Sequence, residues 1–247
     1  MNISFFTGVS GMVSYQKSMD VIAHNIANVN TTGFKPMKSS FSDLLYSQMD
    51  TNGENENGHI VGHGVRVQGN DLMYQQGNIV NTGRALDFAL VGDAFFAVER
   101  GENTEYTRNG SFSISAEGSK GYLVTMDGEY VLDAKGKRIE LDKKENSELF
   151  DLTNVHEKLG IYTFPNPFGL SPTDSASFMQ TAISGEAEAV RNIEDMPCDL
   201  VQFSLESSSV DLSQQMADVI INQKAFQFNA KIVQTADQLE EIVNSLR

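Results

Sequence analysis

His59 and His63 stand four residues apart, with Glu54 and Glu56 just upstream, a set from which a zinc ion could draw nitrogen and oxygen ligands. Both rings would share one face only if the segment were helical. Gly58, Gly62 and Gly64 oppose that, so a solvated loop is the expectation. Cys198 is the one cysteine, which rules out a disulfide within the chain and leaves the redox compartment open. It follows Met196-Pro197 in an acidic stretch with no helix start to lower its pKa, and reads as a structural or exposed thiol rather than a nucleophile. Gly83, Gly92 and Gly101 match neither G-x-G-x-x-G nor a phosphate-binding lysine loop, and fit turns better. Among 33 acidic residues an acid–base pair could always be found, but no spacing singles one out. The expectation is a protein that is not an enzyme, with no cofactor, no metal and no small-molecule substrate.

Charge points the same way. A formal net charge of −15 argues against nucleic acid as a partner, since phosphates need a basic surface. Residues 1–40 carry Lys17, Lys35 and Lys38 against Asp20, for +2, and residues 210–247 carry Lys224, Lys231 and Arg247 against five acids, for −2. The middle therefore holds −15, and the two ends are nearly neutral. Only Lys17 and Asp20 are charged among the first 34 residues, so a helix there lacks the charged outer face of a solvated one and is expected to be covered by neighbours. With 247 residues and 40% hydrophobic content the chain can bury at least one core. There is no apolar run of about 20 residues to span a membrane. The N-terminus lacks the basic segment, apolar core and small-residue site of a cleaved signal peptide, so none is expected.

The elements that must position anything functional follow from periodicity. Phe5, Val9, Met12, Gln16, Met19, Ala23, Ile26 and Asn30 step alternately by four and three, the spacing of a coiled-coil seam. Leu212, Met216, Val219, Gln223, Phe226, Ala230 and Val233 repeat it, and after a three-residue slip Ala236, Leu239, Val243 and Leu246 resume. The first helix is expected to end near Asn30, with Gly33 as a left-handed cap, and the last to open at Ser209 or Asp211, where Asp211 and Gln214 have capping-box spacing. Phe41–Tyr46 suggests one or two helical turns, and residues 50–64 a loop. Between the ends, short alternating segments separated by Asn109-Gly110, Asp127-Gly128 and Ala134-Lys-Gly136 read as antiparallel strands. The fold class expected is α+β: a discontinuous helical, coiled-coil domain from residues 1–34 and 206–247, an extended linker region at 35–82, and an inserted all-β antiparallel barrel or sandwich-like domain at 83–205.

Met19-Asp-Val-Ile-Ala-His-Asn-Ile-Ala-Asn-Val-Asn-Thr-Thr-Gly-Phe-Lys35 closely resembles the N-terminal signature of bacterial flagellar rod and hook proteins. Gly77-Asn-Ile-Val-Asn-Thr-Gly83, Gly92-Asp-Ala-Phe-Phe96 and Tyr106-Thr-Arg-Asn-Gly-Ser-Phe112 are similar to that family's entry to its β-domain. Ser209-Val-Asp-Leu-Ser-Gln-Gln-Met216 and Ile221-Asn-Gln-Lys-Ala-Phe-Gln-Phe-Asn-Ala-Lys231 are similar to its C-terminal helix. The likeness fades between about 140 and 200. It departs at Ala94, Ser209, Lys224 and Phe226, where the family commonly has glycine, asparagine, arginine and tyrosine.

The resemblance implies an axial subunit of the flagellar basal-body rod, exported through the flagellum's type III apparatus and polymerised helically into a torque-transmitting shaft and export channel. Its partners would be copies of itself, neighbouring rod and hook proteins, and the export apparatus. The residues it marks for assembly are Met19, Asn25, Ile26, Asn28, Asn30, Thr31, Thr32, Gly33 and Phe34 at the first helix, and Leu212, Met216, Val219, Gln223, Phe226 and Val233 at the last. On this reading the helix ends are loosely ordered in the free chain and pair chiefly in a polymer. Two alternatives stay open: a hook subunit or accessory axial protein of the same family, and an oligomeric β-domain hydrolase or binding module.

Overall fold

The computed structural model describes residues 3–49, 59–101, 103–117, 120–142, 150–152, 154–174, 176–190 and 198–246. It is α+β, with a helix near each end and a β-rich region between them. Its described helices are α1 (Ile3–Ala27), the one-turn α2 (Val155–Lys158), a short 3-10 turn at Pro167–Gly169 and α3 (Leu212–Ser245). The chain divides into two compact units, one of Met1–Ala27, Met37–Asp71 and Asp211–Arg247, the other of Asn28–Pro36 and Leu72–Val210.

In the first unit α1 and α3 pack on each other within a single chain. They run antiparallel: Gly8 lies against Val233, Gly11 against Asn229, and Asn25 reaches Gln215. The buried stripe of α1 is Gly8, Gly11, Ser14, Ser18, Ile22 and Asn25. That stripe sits about one position before the apolar seam, whose Phe5, Val9, Met12, Met19 and Ile26 are half-buried and whose Gln16, Ala23 and Asn30 are exposed. The physical reason is backbone approach. A Cβ on Gly8 would lie 2.8 Å from Val233 Cγ2, and one on Gly11 2.6 Å from Asn229 Oδ1, so small residues bring the axes together where larger ones would hold them apart. Asp211 caps α3 as its spacing suggests, its carboxylate accepting from Ser213 N at 2.8 Å and Gln214 N at 3.2 Å.

Among the described residues this unit also holds four strands: β1 (Met37–Asp43), β2 (Tyr46–Met49), β3 (His59–Gly62) and β4 (Val65–Leu72), the last of which ends at the first residue of the other unit's second stretch. β1 pairs with β4, and β2 with β3 in the register Tyr46↔Gly62 to Met49↔His59. The helical turns expected at Phe41–Tyr46 are therefore absent: Phe41–Asp43 ends β1, Tyr46 opens β2, and residues 44–45 connect the two. Serines at 39, 40 and 42 compete poorly for helix, and a ladder partner is at hand. The expected loop at 50–64 is likewise corrected at its end, where His59–Gly62 is β3; residues 50–58, with Glu54, Glu56 and Gly58, lie outside the described residues.

Strands of the second unit begin with β5 (Ile79–Asn81), β6 (Phe88–Val91), β7 (Phe95–Arg100), β8 (Asn103–Thr107), β9 (Ser113–Glu117), β10 (Lys120–Val124) and β11 (Tyr130–Val131). They continue with β12 (Glu140–Leu141), β13 (Ile161–Thr163), β14 (Ser171–Pro172), β15 (Ser177–Met179), β16 (Glu188–Val190), β17 (Asp199–Gln202) and β18 (Ser204–Glu206). Asp127-Gly128 turns β10 into β11, with Val124 opposite Tyr130, as the turn chemistry requires. A ten-stranded sheet runs β12-β10-β11-β7-β8-β15-β14, with β13, β16 and β9 branching from it. No closed barrel forms among the described residues, because two-residue strands, β12 and β14, finish the sheet at either end rather than meeting. The single strand expected at Leu200–Leu205 is two: Phe203 takes a left-handed φ of 63°, so β17 pairs with β6 and β18 with β5. The core gathers Phe88, Leu90, Phe96, Val98, Phe112, Leu123, Val131, Leu141 and Ile161, all essentially without solvent exposure, and Cys198 joins it. Burial in that apolar setting pushes the Cys198 thiol pKa up, which fits a structural rather than a reactive thiol.

Candidate assembly surface

The amides singled out on α1 divide between two jobs. Asn25 is buried and fully engaged inside the chain: its Nδ2 donates to Met37 O at 2.7 Å and Gln215 Oε1 at 3.0 Å, while its Oδ1 accepts from Met37 N at 3.0 Å. It ties α1 to β1 and α3. Asn28 Oδ1 accepts from Thr31 Oγ1 at 3.1 Å, closing the turn after the helix, and Asn30 is exposed.

Thr31, Thr32, Gly33 and Phe34 belong to the β-rich unit. Thr32 Oγ1 donates to Asn109 Oδ1 at 2.8 Å, and Gly33 N donates to Glu206 O at 2.9 Å. Gly33 has φ +70°, and a Cβ there would stand 2.7 Å from the Arg108 carbonyl carbon; position and conformation both demand glycine. Phe34 is buried.

Next to them lies a charge cluster that the residue pattern did not single out. Lys35 Nζ bonds Glu206 Oε1 at 2.6 Å, and Arg108 Nη1 bonds Glu206 Oε2 at 3.2 Å. The three side chains are 1%, 1% and 0% exposed, so this is an interior site. Gly77 N adds a bond to Glu206 Oε1 at 2.8 Å, and Arg108 Nε donates to Tyr74 OH at 2.8 Å. Arg108 also donates to the Leu90 and Gly92 carbonyls, and both cations lie over the Tyr74 ring at just over 5 Å. Burial pushes the Lys35 pKa down despite Glu206, and pushes the Tyr74 phenol well above its ordinary value. Every strong donor here is satisfied by the protein itself, which makes the cluster a clamp and leaves no group free for substrate.

The outward faces of the helix pair are different. Val219, Phe226 and Val233 are half-buried, as are Met19 and Ile26, while Leu212, Met216 and Gln223 are exposed. Ile220, Ile221, Phe228, Ile232, Leu239, Ile242 and Val243, mostly outside the seam, are exposed as well. A heptad count follows one stripe at a time; the Ile220-Ile221 doublet and Phe228 were the available sign of a second. Ser4, Phe228, Ile232, Ala236 and Leu239 shape a mainly apolar groove of about 440 Å³. His63 Nε2 meets Ser47 Oγ at 2.8 Å, and no group of three metal-binding side chains occurs among the described residues.

Three family models match successive parts of the chain: flagella basal body rod protein over residues 5–35, the flagellar hook protein FlgE/F/G D1 domain over 89–156, and the flagellar basal body rod FlgEFG protein C-terminal region over 201–246. The flagellar basal-body rod protein FlgG of Bacillus subtilis is 34% identical across 99% of both chains. FlgG of Borreliella burgdorferi is 34% identical across 99% of this chain and 98% of its own. The flagellar hook-basal body complex protein FlhP of Bacillus subtilis is 28% identical across 99% of each. A fold whose polar interior is sealed and whose terminal helices turn apolar side chains outward thus matches rod proteins from end to end, and the chain belongs to the flagellar basal-body rod protein family, as a structural and not an enzymatic subunit of the flagellar basal body.

Proposed function

We propose that the subunit polymerises helically through the outward faces of α1 and α3, forming the torque-transmitting core of the rod and the wall of its export channel. The observation that carries this is the row of exposed large apolar side chains on α3, from Ile221 and Phe228 through Leu239 to Val243. A soluble monomer rarely shows so long an apolar strip without a partner to cover it. Fully covering one Ile, Leu or Phe is worth about 1.5–3 kcal/mol, so a few per neighbour suffice for a cooperative polymer. The near-neutral ends support the same reading, since helices with few charges are the ones that neighbours can cover. On this reading Met19, Ile26, Val219, Phe226 and Val233 brace the helix pair in coiled-coil fashion, Leu212, Met216 and Gln223 meet neighbours, and Asn28, Asn30, Thr31, Thr32, Gly33 and Phe34 serve assembly from the β-rich unit. The chain reaches its site through the flagellar type III export apparatus.

The test is to replace Ile221 or Phe228 by aspartate. Motility and incorporation into basal bodies are expected to be lost while the secreted chain keeps its β-rich unit folded, and normal swimming would refute the proposal. The 28% likeness to a hook-basal body complex protein favours one second reading, a hook subunit or an accessory axial protein of the same family; immunolabelling of isolated basal bodies separates the two.

A further inference from the structure

In the β-rich unit two large apolar side chains are held out into water by a stiff frame. Phe168 is 63% exposed, with its ring meeting Tyr74 edge-on at 6.4 Å, and Ile183 is 75% exposed on the facing loop, where a Cβ on Gly169, the residue after Phe168, would meet Ile183 Cγ2 at 3.0 Å. The frame is built from two loops, residues 165–170 and 181–185. Thr181 Oγ1 donates to Gly169 O at 2.6 Å, Asn166 N to Ser184 O at 3.2 Å, and Asn166 Nδ2 to Ile183 O at 3.3 Å. Ser184 is wholly buried and bonds both ways with Thr181, while Pro165 and Pro167 fix the backbone of the first loop. Scattered single apolar residues on a surface are ordinary. Here a hydrogen-bonded scaffold has already met the ordering cost that binding otherwise incurs, the condition for an aromatic anchor in an interface.

Charge selects the partner. Residues 159–185 contain one charged side chain, Asp174, in a chain of net charge −15, and Arg100 pairs with it at 3.1 Å. A basic partner would gain most by docking on the acidic surface elsewhere. Another copy of this acidic chain is repelled there and meets the least repulsion at this neutral island.

We infer that the Phe168–Ile183 knob is a second contact surface between copies of this chain, separate from the helix faces. The inference rests on the reading of the chain as a self-assembling rod subunit. It adds a lateral contact through the β-rich unit, which would resist shear that the helices alone would carry.

The test places photoreactive benzoylphenylalanine at position 168 of the full chain, and in a separate strain at position 228 on α3, and irradiates assembled basal bodies. An adduct of this chain with itself from position 168 is expected. An adduct with a different protein, or none, overturns the inference, and a self-adduct from position 228 in the same experiment shows that the helix reading survives. Absence of both overturns both. In parallel the double variant Phe168→Asp/Ile183→Asp should melt like the parent and incorporate roughly tenfold less. Incorporation at the parental level would also overturn it.

Discussion

Replacing Glu206 by glutamine keeps the shape of the side chain and its ability to accept from Gly77 N, but leaves Lys35 and Arg108 buried without their shared anion. Removing one partner of a buried ion pair costs about 3–5 kcal/mol, because an uncompensated charge stays in the interior. In a unit of roughly 150 residues each kcal/mol moves the melting temperature by about 2–4 °C, so Glu206→Gln should lower it by roughly 6–20 °C. Tyr74, Tyr106, Tyr122, Tyr130 and Tyr162 lie in this unit, and the chain has no tryptophan, so near-ultraviolet circular dichroism of the full chain follows the transition. The loss should also depend on pH in a set direction. Lys35 already has a folded pKa below its unfolded value of 10.5, so below that value the unfolded chain binds more protons and stability rises with pH. Without Glu206 that pKa falls further, the window widens downward, and the deficit relative to the parent should shrink as the pH rises toward 10.5. Above pH 10 the raised Tyr74 pKa acts oppositely, because the unfolded phenol ionises first. A variant that melts within about 3 °C of the parent at pH 7, with no change in the difference at higher pH, would refute the clamp.

The helix pair is equally open to test. Gly8→Leu should lower its stability by on the order of 1 kcal/mol, since overpacking against Val233 costs about 1–3 kcal/mol and outweighs the roughly 1 kcal/mol gained by replacing a helical glycine; far-ultraviolet melting reads this. Asp211→Ala removes the carboxylate that caps α3 and should cost about 1 kcal/mol, whereas Asp211→Asn should keep most of it.

What could be read in the residue pattern was whatever a short segment decides for itself. The Asp211 cap and the Asp127-Gly128 hairpin depend on neighbours a few positions away, and both formed where the pattern put them. The helix interface was legible in kind but misplaced by about one position, because apolar residues mark a seam while Gly8, Gly11, Ser14 and Ser18 make the close contact. Phe41–Asp43 and Tyr46 became strand through pairing with segments well downstream, a tertiary choice that local propensity does not contain. The clamp was invisible for a stronger reason. Its members lie 171 and 98 positions from Glu206, and nothing local distinguishes those three charges from the solvated ones around them.

That long separation also sets an order of events during synthesis. A nascent chain emerges with Lys35 first, Arg108 later and Glu206 much later. Until residue 206 is out, closing the interior would trap two cations with no counter-ion, at a penalty of several kcal/mol. Cys198 and strands β17 and β18, which complete the core and pair with β6 and β5, arrive in the same late stretch. The clamp of the β-rich unit thus cannot be completed until nearly the whole chain exists.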